Sequence, residues 1–507
     1  MTAPYRARIA LALAVVVAAG TVAGTAYAQD TMMPELAART FPVDTKTISE
    51  HEITVGGVTF PYTAEVGMQP VWDDEGKVVA SLFYTYYQRT DVDDRSERPL
   101  MVSFNGGPGS ASLWMHIGYT GPRKLRIDDE GFPVQPYGMD DNNETILDVA
   151  DIVFVNPVNV GFSRIVGDAD RTQFFGVNED IAYLAEWIGT FVSRHDRWAS
   201  PKYLIGESYG TTRVSGLAGA LQGRQWMFLN GVILVSPTGL GIDRAGPVRA
   251  ALSLPNYTAT AWYHGQLEPS LQNRDLEEIL PEVEEFTIEE YLPALAHGGH
   301  LPEARRNAIA ESVARWAGVS TDWVLDHNLT PSVGEFRKEL MRDEGLTVGR
   351  LDARYRGRDR EDAGMGYDYD PAMAAWNHAF SPAVNIYFRE ELGWETDLQY
   401  YLFGPVRPWN RNGDNTGEQL RQAMASNPYL HVMVQAGYYD GGTDYFSSKY
   451  TLWNMDPSGR LLDRTWWKGY RSGHMMYLRA EDLITSNQDI RDFVNWSLEA
   501  LEESAQH

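Results

Sequence analysis

The stretch Tyr203-Leu204-Ile205-Gly206-Glu207-Ser208-Tyr209-Gly210 decides the fold. Its first three residues form a short apolar run suited to a buried strand, and residues 211–221 can continue as a helix. Between them, Gly206-Glu207-Ser208-Tyr209-Gly210 has the Gly-x-Ser-x-Gly spacing of a nucleophile elbow, a sharp strand-to-helix turn that presents a serine hydroxyl. The requirement is steric, because close neighbours of the serine crowd a strained turn and need to be glycine. Ser208 is therefore the candidate nucleophile.

Outward from this turn, other short apolar runs recur at Leu100–Phe104, 152–155, 232–235 and 431–434, each ending in a Gly-, Pro- or Asn-containing loop. Such runs suit strands buried on both faces of a mostly parallel sheet. Ile181, Leu184, Ala185, Ile188, Phe191 and Val192 recur at helical spacing, so a helix crosses over between two of the strands. Strand, helix, strand in this order predicts an α/β fold. Residues 50–90 alternate apolar and polar types around Gly56-Gly57 and Glu75-Gly76, which predicts an antiparallel start. From about 244 to 380 the buried-strand runs stop. Residues 271–291 are acidic and helix-prone, 303–316 are amphipathic, and 350–370 read as loop. The expectation is a helical cap insertion over the carboxyl edge of the sheet, dividing the main domain into 29–243 and 381–507. An independent second domain is the alternative.

Asn105-Gly106-Gly107-Pro108-Gly109-Ser110 follows the run Leu100–Phe104. A Gly-Gly turn at a strand's carboxyl end exposes backbone N–H groups, as stabilising a tetrahedral oxyanion demands. One donor would come from the residue after the nucleophile, Tyr209, and the other from this loop. A base and its orienting carboxylate should follow in the order Ser, Asp, His. Ala436-Gly437-Tyr438-Tyr439-Asp440 leaves the run 431–434, and Ser472-Gly473-His474 lies in a loop before a C-terminal helix. His474 would take the proton from Ser208, and Asp440 would fix its tautomer and stabilise the imidazolium. Asp444 competes for that second role, but Asp440 is nearer the strand end. His195 and His327 lie on polar helical stretches and read as solvated surface. His297-Gly298-Gly299-His300 has no nearby carboxylate ligand and reads as a solvated loop, so neither metal nor cofactor is expected.

The chain has 507 residues, with 43 Lys and Arg against 69 Asp and Glu, a net charge of −26. So large an acidic excess repels polyanions and argues against nucleic acid or anionic lipid as partner. The absence of cysteine excludes disulfides, thiolate-zinc sites and cysteine nucleophiles. At the amino terminus, Arg6 and Arg8 precede an apolar run over 9–19, and Ala26-Tyr27-Ala28 offers small residues for cleavage. This predicts a secretory signal peptide over 1–28 and a periplasmic or secreted enzyme. The run 9–28 approaches the length of a membrane span, but Gly20 and Gly24 interrupt it, so no stable membrane anchor is expected once the signal is removed. Nothing in the sequence fixes the oligomeric state.

These motifs together resemble the serine carboxypeptidases, an α/β-hydrolase family. Beyond the segments already quoted, the resemblance rests on Ala80-Ser81-Leu82-Phe83-Tyr84-Thr85-Tyr86-Tyr87 and on Asn156-Pro157-Val158-Asn159-Val160-Gly161-Phe162-Ser163. It implies an α/β-hydrolase fold with a mostly parallel central sheet flanked by helices, antiparallel N-terminal strands and a helical cap. It also implies hydrolysis of peptides at their C termini. Residue by residue, Ser208 is similar to the family's nucleophile, Asp440 and His474 to its triad partners, and the N–H groups of Gly107 and Tyr209 to its oxyanion hole. Asn105, Glu207 and the N–H of Gly106 match the groups that grip the substrate's terminal carboxylate. Two carboxylates facing each other must share a proton, so cleavage is expected to be favoured in mildly acidic solution. Three departures stand out: Ser110 replaces a common cysteine, Gly118-Tyr119-Thr120 lies where an assisting acid is frequent, and no proline follows His474. An esterase or acyltransferase using the same triad is the alternative function. A binding protein with a dead site would typically have lost Ser208, Asp440 or His474, and none is lost.

Overall fold

The computed structural model of the protein describes residues 40–505. The expected signal peptide lies outside the described residues. A ten-stranded sheet forms the framework, built from β1 (Thr45–Val55), β2 (Val58–Trp72), β3 (Val78–Arg89), β4 (Leu100–Phe104), β5 (Asp151–Val155), β6 (Lys202–Glu207), β7 (Gly231–Val235), β8 (His431–Gly437) and β9 (Thr465–Tyr470). The two-residue strand Arg164–Ile165 pairs with β3. The spatial order is β1-β2-β3-β5-β4-β6-β7-β8-β9. The first three strands are antiparallel, and β5 through β9 run parallel to one another across the rest of the sheet.

Burial explains which strands were legible. Every residue of β4, β5, β6, β7 and β8 is buried, which is why each reads as an unbroken apolar run. Strand β9 was not foreseen. Its sequence, Thr-Trp-Trp-Lys-Gly-Tyr, lies half-buried at the sheet edge, where polar residues are tolerated and the apolar run is lost. The register aligns Phe104 with Gly206, Val235 with Glu207 and with Gln435, and Gly437 with Tyr470. The carboxyl ends of β4, β6, β7, β8 and β9 thus form one rim. In an open α/β sheet, ligands bind outside this edge.

Helices α1 (Val177–Arg194) and α2 (Tyr209–Arg224) pack beside the sheet; α1 buries Ile181, Leu184, Ile188 and Val192 as its spacing requires. After β7 the chain becomes helical, with α3 (Pro247–Leu252), α4 (Leu254–Tyr263), α5 (Leu276–Phe286), α6 (Glu303–Ala317) and α7 (Val333–Glu339). Their apolar faces form a second core that also takes in Ala436 from the end of β8 and Tyr438, Tyr439 and Phe446 from beyond it. The helix α8 (Pro371–Ile386) packs instead in the main core through Trp376, Phe380 and Val384. The chain returns through α9 (Thr416–Ser426) to β8, passes α10 (Tyr445–Met455) and β9, and ends in α11 (Ala480–Ala505).

Candidate active site

At the end of β6 the backbone turns sharply. Ser208 has φ 58° and ψ −125° and immediately precedes α2. A Cβ at position 206 would collide with Gly210 O, and one at position 210 would lie 2.7 Å from Phe104 O, so the turn admits only glycine at both positions. The Ser208 N–H donates to Val235 O at 2.9 Å, fixing the elbow to the tip of β7. The residue just after β7, Ser236, donates its hydroxyl to His474 O at 2.8 Å, and its carbonyl oxygen accepts from Thr443 Oγ1 at 2.9 Å. One strand tip therefore holds the serine turn, the histidine loop and the acid loop together. This is how the structure brings Ser208, His474 and Asp440 to a common rim.

His474 Nδ1 lies 2.6 Å from Asp440 Oδ2. Asp440 accepts three further hydrogen bonds: from Gly442 N at 2.7 Å and Thr443 N at 3.1 Å on Oδ1, and from Thr443 Oγ1 at 2.7 Å on Oδ2, which it shares with the imidazole. Burial works to raise the Asp440 pKa, but the imidazolium charge and these donors outweigh it and hold the carboxyl below its usual range. Burial likewise works to lower the His474 pKa, and is outweighed by the Asp440 carboxylate and then by Glu207. Asp444 does not compete. Its carboxylate accepts from Ser447 N at 2.7 Å and Ser447 Oγ at 2.8 Å, capping α10. With Nδ1 committed to Asp440, Nε2 is the ring nitrogen left for the serine. Among the described residues Ser208 Oγ forms no hydrogen bond with His474; such bonds are often long before substrate binds.

The Gly-Gly loop lies directly on the elbow, since a Cβ on Gly106 would collide with Tyr209 N. Gly107 has φ 100°, a conformation that favours glycine. Tyr209 opens α2, so its N–H has no partner within the helix and is available beside Ser208. Arg213 of α2 fastens the loop from behind, donating to Asn105 O at 2.6 Å while paired with Asp180 at 2.6 Å.

Glu207 is 4% exposed. Burial, with the Asp440 charge adding to it, pushes its carboxyl from 4.5 up to about 7, against the opposing pull of His474, Tyr477 and Asn105. The Tyr477 hydroxyl donates to Glu207 Oε2. Asn105 Oδ1 accepts from Met115 N at 3.0 Å, whereas its buried Nδ2 lies close enough to Glu207 to favour the carboxylate but forms no hydrogen bond of full geometry. A buried unpaired donor next to a protonatable buried carboxyl is suited to receiving a ligand oxygen.

Several site residues had no sequence signal. Tyr477 stacks on Tyr119 at a ring separation of 4.5 Å, so the stretch lacking the frequent assisting acid supplies an aromatic backing for Glu207 instead. Thr443 and Ser236 carry no motif. Ser110, standing where a cysteine is common, accepts from Trp114 Nε1 at 2.8 Å. His195 corrects the surface reading: it is largely buried, stacks on Phe191 at 4.1 Å and lies 2.8 Å from Glu65. Among the described residues no cluster of ligand side chains could hold a metal, and no helix is long and apolar enough to cross a membrane.

Strained serine turn, parallel sheet and helical excursion after β7 define an α/β-hydrolase fold. A prohormone-processing carboxypeptidase from Saccharomyces cerevisiae shares that fold with a TM-score of 0.52 at 14% identity, covering 85% of this chain and 91% of the other. Residues 65–265 match the sequence profile of the serine carboxypeptidases. Serine carboxypeptidase-like 8 of Arabidopsis thaliana is 28% identical over 31% of this chain and 34% of its own. The human retinoid-inducible serine carboxypeptidase is 29% identical over 32% of this chain and 33% of its own. These matches span about a third of the curated relatives' length.

Proposed function

We propose that the protein is a serine-type carboxypeptidase that removes C-terminal residues from peptides through an acyl-enzyme on Ser208. His474 Nε2 takes the hydroxyl proton as Ser208 Oγ attacks the scissile carbonyl carbon. The oxyanion that forms accepts from the N–H groups of Gly107 and Tyr209. Collapse of the tetrahedral intermediate breaks the C–N bond, and the imidazolium returns its proton to the departing amino group. Water, deprotonated by the same imidazole, then releases the acyl group and regenerates the serine.

The observation that carries this reading is the pairing of a buried Glu207 carboxyl, pushed up to about 7, with the unpaired Asn105 Nδ2 beside the nucleophile. A substrate with a free terminal carboxylate uses both groups, together with the N–H of Gly106, whereas an ester acyl donor uses neither. A secreted or periplasmic location rests on the segment 1–28 alone. The test compares an N-blocked dipeptide with its C-terminal amide. The free acid should be cleaved at least about tenfold more efficiently, and Glu207→Gln should narrow that ratio. Equal rates on acid and amide would favour the esterase or amidase alternative. Ser208→Ala should abolish both turnover and covalent labelling by an organophosphonate.

A further inference from the structure

Between the cap and the rim of the sheet lies a cavity of 780 Å³, within the ~300–1,000 Å³ usual for ligand pockets. The segment after β7 lines one wall with Arg244 and Arg249, and Gly441, Gly442, Thr443 and Asp444 after β8 line another. Thr443 connects the cavity to the triad, because its hydroxyl touches both Asp440 Oδ2 and His474 Nδ1, at 2.7 and 3.2 Å.

Positive charge is in excess in this cavity, because Arg244 and Arg249 share its lining with a single carboxylate, Asp444, whose charge acts on Arg244. Arg244 forms no ion pair among the described residues, and its Nη1 is buried without a hydrogen-bond partner. Asp444 acts on Arg244 through its charge but forms no direct ion pair with it, its oxygens accepting from Ser447 N and Oγ. Arg249 is exposed and adds a second positive charge. A partly buried guanidinium with an idle N–H is costly unless an anion completes it, and its planar fork suits a carboxylate.

Sheet order decides which part of a substrate comes here. Ser208 stands at the tip of β6. The carboxylate-gripping groups lie on its β4 side and on β6 itself, whereas the cavity lies on the opposite side, beyond β7 and β8. A peptide whose terminal carboxylate faces Asn105 and Glu207 therefore directs its acyl side toward the cavity. We propose that this cavity receives the side chain on the acyl side of the scissile bond, and that Arg244, with Arg249, selects an acidic residue there. The proposal rests on the exopeptidase reading and narrows its substrate class to peptides with a penultimate Glu or Asp.

The test uses three N-blocked dipeptides, Glu-Ala, Ala-Ala and Lys-Ala, as free acids. The wild type should cleave Glu-Ala with the highest kcat/KM. Arg244→Gln should lower kcat/KM for Glu-Ala by about tenfold or more while leaving Ala-Ala within about twofold. Arg249→Glu, at an exposed position that does not threaten folding, should shift preference toward Lys-Ala. Equal cleavage of all three by the wild type, or a uniform loss across them in Arg244→Gln and no shift in Arg249→Glu, overturns the proposal while leaving the exopeptidase reading intact. Failure to cleave any of the three, with amide or ester analogues cleaved, overturns both.

Discussion

At the scale of single residues, the proposed mechanism makes Glu207 the group that sets the pH behaviour. Its carboxyl, raised from 4.5 to about 7 by burial, carries a proton below that value and can share it with a substrate carboxylate. Above it, two negative charges face each other. The kcat/KM for free-acid substrates should therefore fall as pH rises through about 7, chiefly through KM, whereas amide or ester substrates should not show that limb. In Glu207→Gln the alkaline limb should disappear. A steady-state profile for both substrate classes checks this. In the same proposal the acid limb belongs to His474, which must be neutral to accept a proton, and whose pKa Asp440 and Glu207 raise against the effect of burial. Linkage acts in the same sense: a carboxyl whose folded-state pKa is raised adds stability fully present below 4.5 and lost as pH rises through about 7.

At the scale of elements, the segment that joins the cap to α8 is a strap across the loops that carry Asp440 and His474. Leu351 O accepts from His474 N at 2.6 Å, Arg350 O accepts from Gly441 N at 2.8 Å, and Ala353 N donates to Tyr439 O at 3.0 Å. Arg354, paired with buried Asp352 at 2.7 Å, donates to Ser472 Oγ at 2.9 Å. The strap packs so tightly that a Cβ on Gly473 would collide with the Asp352 side chain and its Cα. Gly473→Ala should therefore displace the histidine loop, reducing kcat on acid and amide substrates alike with KM little changed. Its stability cost should be about 1–3 kcal/mol, as for overpacking elsewhere. Single-turnover kinetics beside thermal melting separates the two effects. Loss of kcat no larger than that of an exposed Gly→Ala change would show that the strap does not position His474.

At the scale of the molecule, a chain without cysteine holds its layers together through packing and buried ion pairs. Asp151, fully buried at the start of β5, accepts from Arg98 Nε and Arg197 Nη1, both at 2.6 Å, and from Arg89 N at 3.0 Å. This cluster sits at the amino ends of the strands, the pole opposite the catalytic rim. Asp151→Asn leaves two buried guanidinium groups undercompensated, so unfolding free energy should drop by about 3–5 kcal/mol. Turnover at a temperature where the variant remains folded should be unchanged. Urea titration and kcat, measured on the same preparation, test that separation.

The sequence by itself determined the parallel strands, the elbow at Ser208, the loop at Gly106-Gly107 and the order of Asp440 and His474. These features are local: a strand buried on both faces must be apolar along its whole length, and a turn with no room for a Cβ must be glycine. Only the tertiary structure decided what depends on neighbours distant in the chain. Strand β9 hides because an edge tolerates mixed composition. Tyr477 reaches Glu207, Asp444 caps α10, and Arg244 is left with a buried Nη1 that has no hydrogen-bond partner. A residue's charge state and partner are set by what the fold places within a few ångströms of it, and no local spacing encodes that.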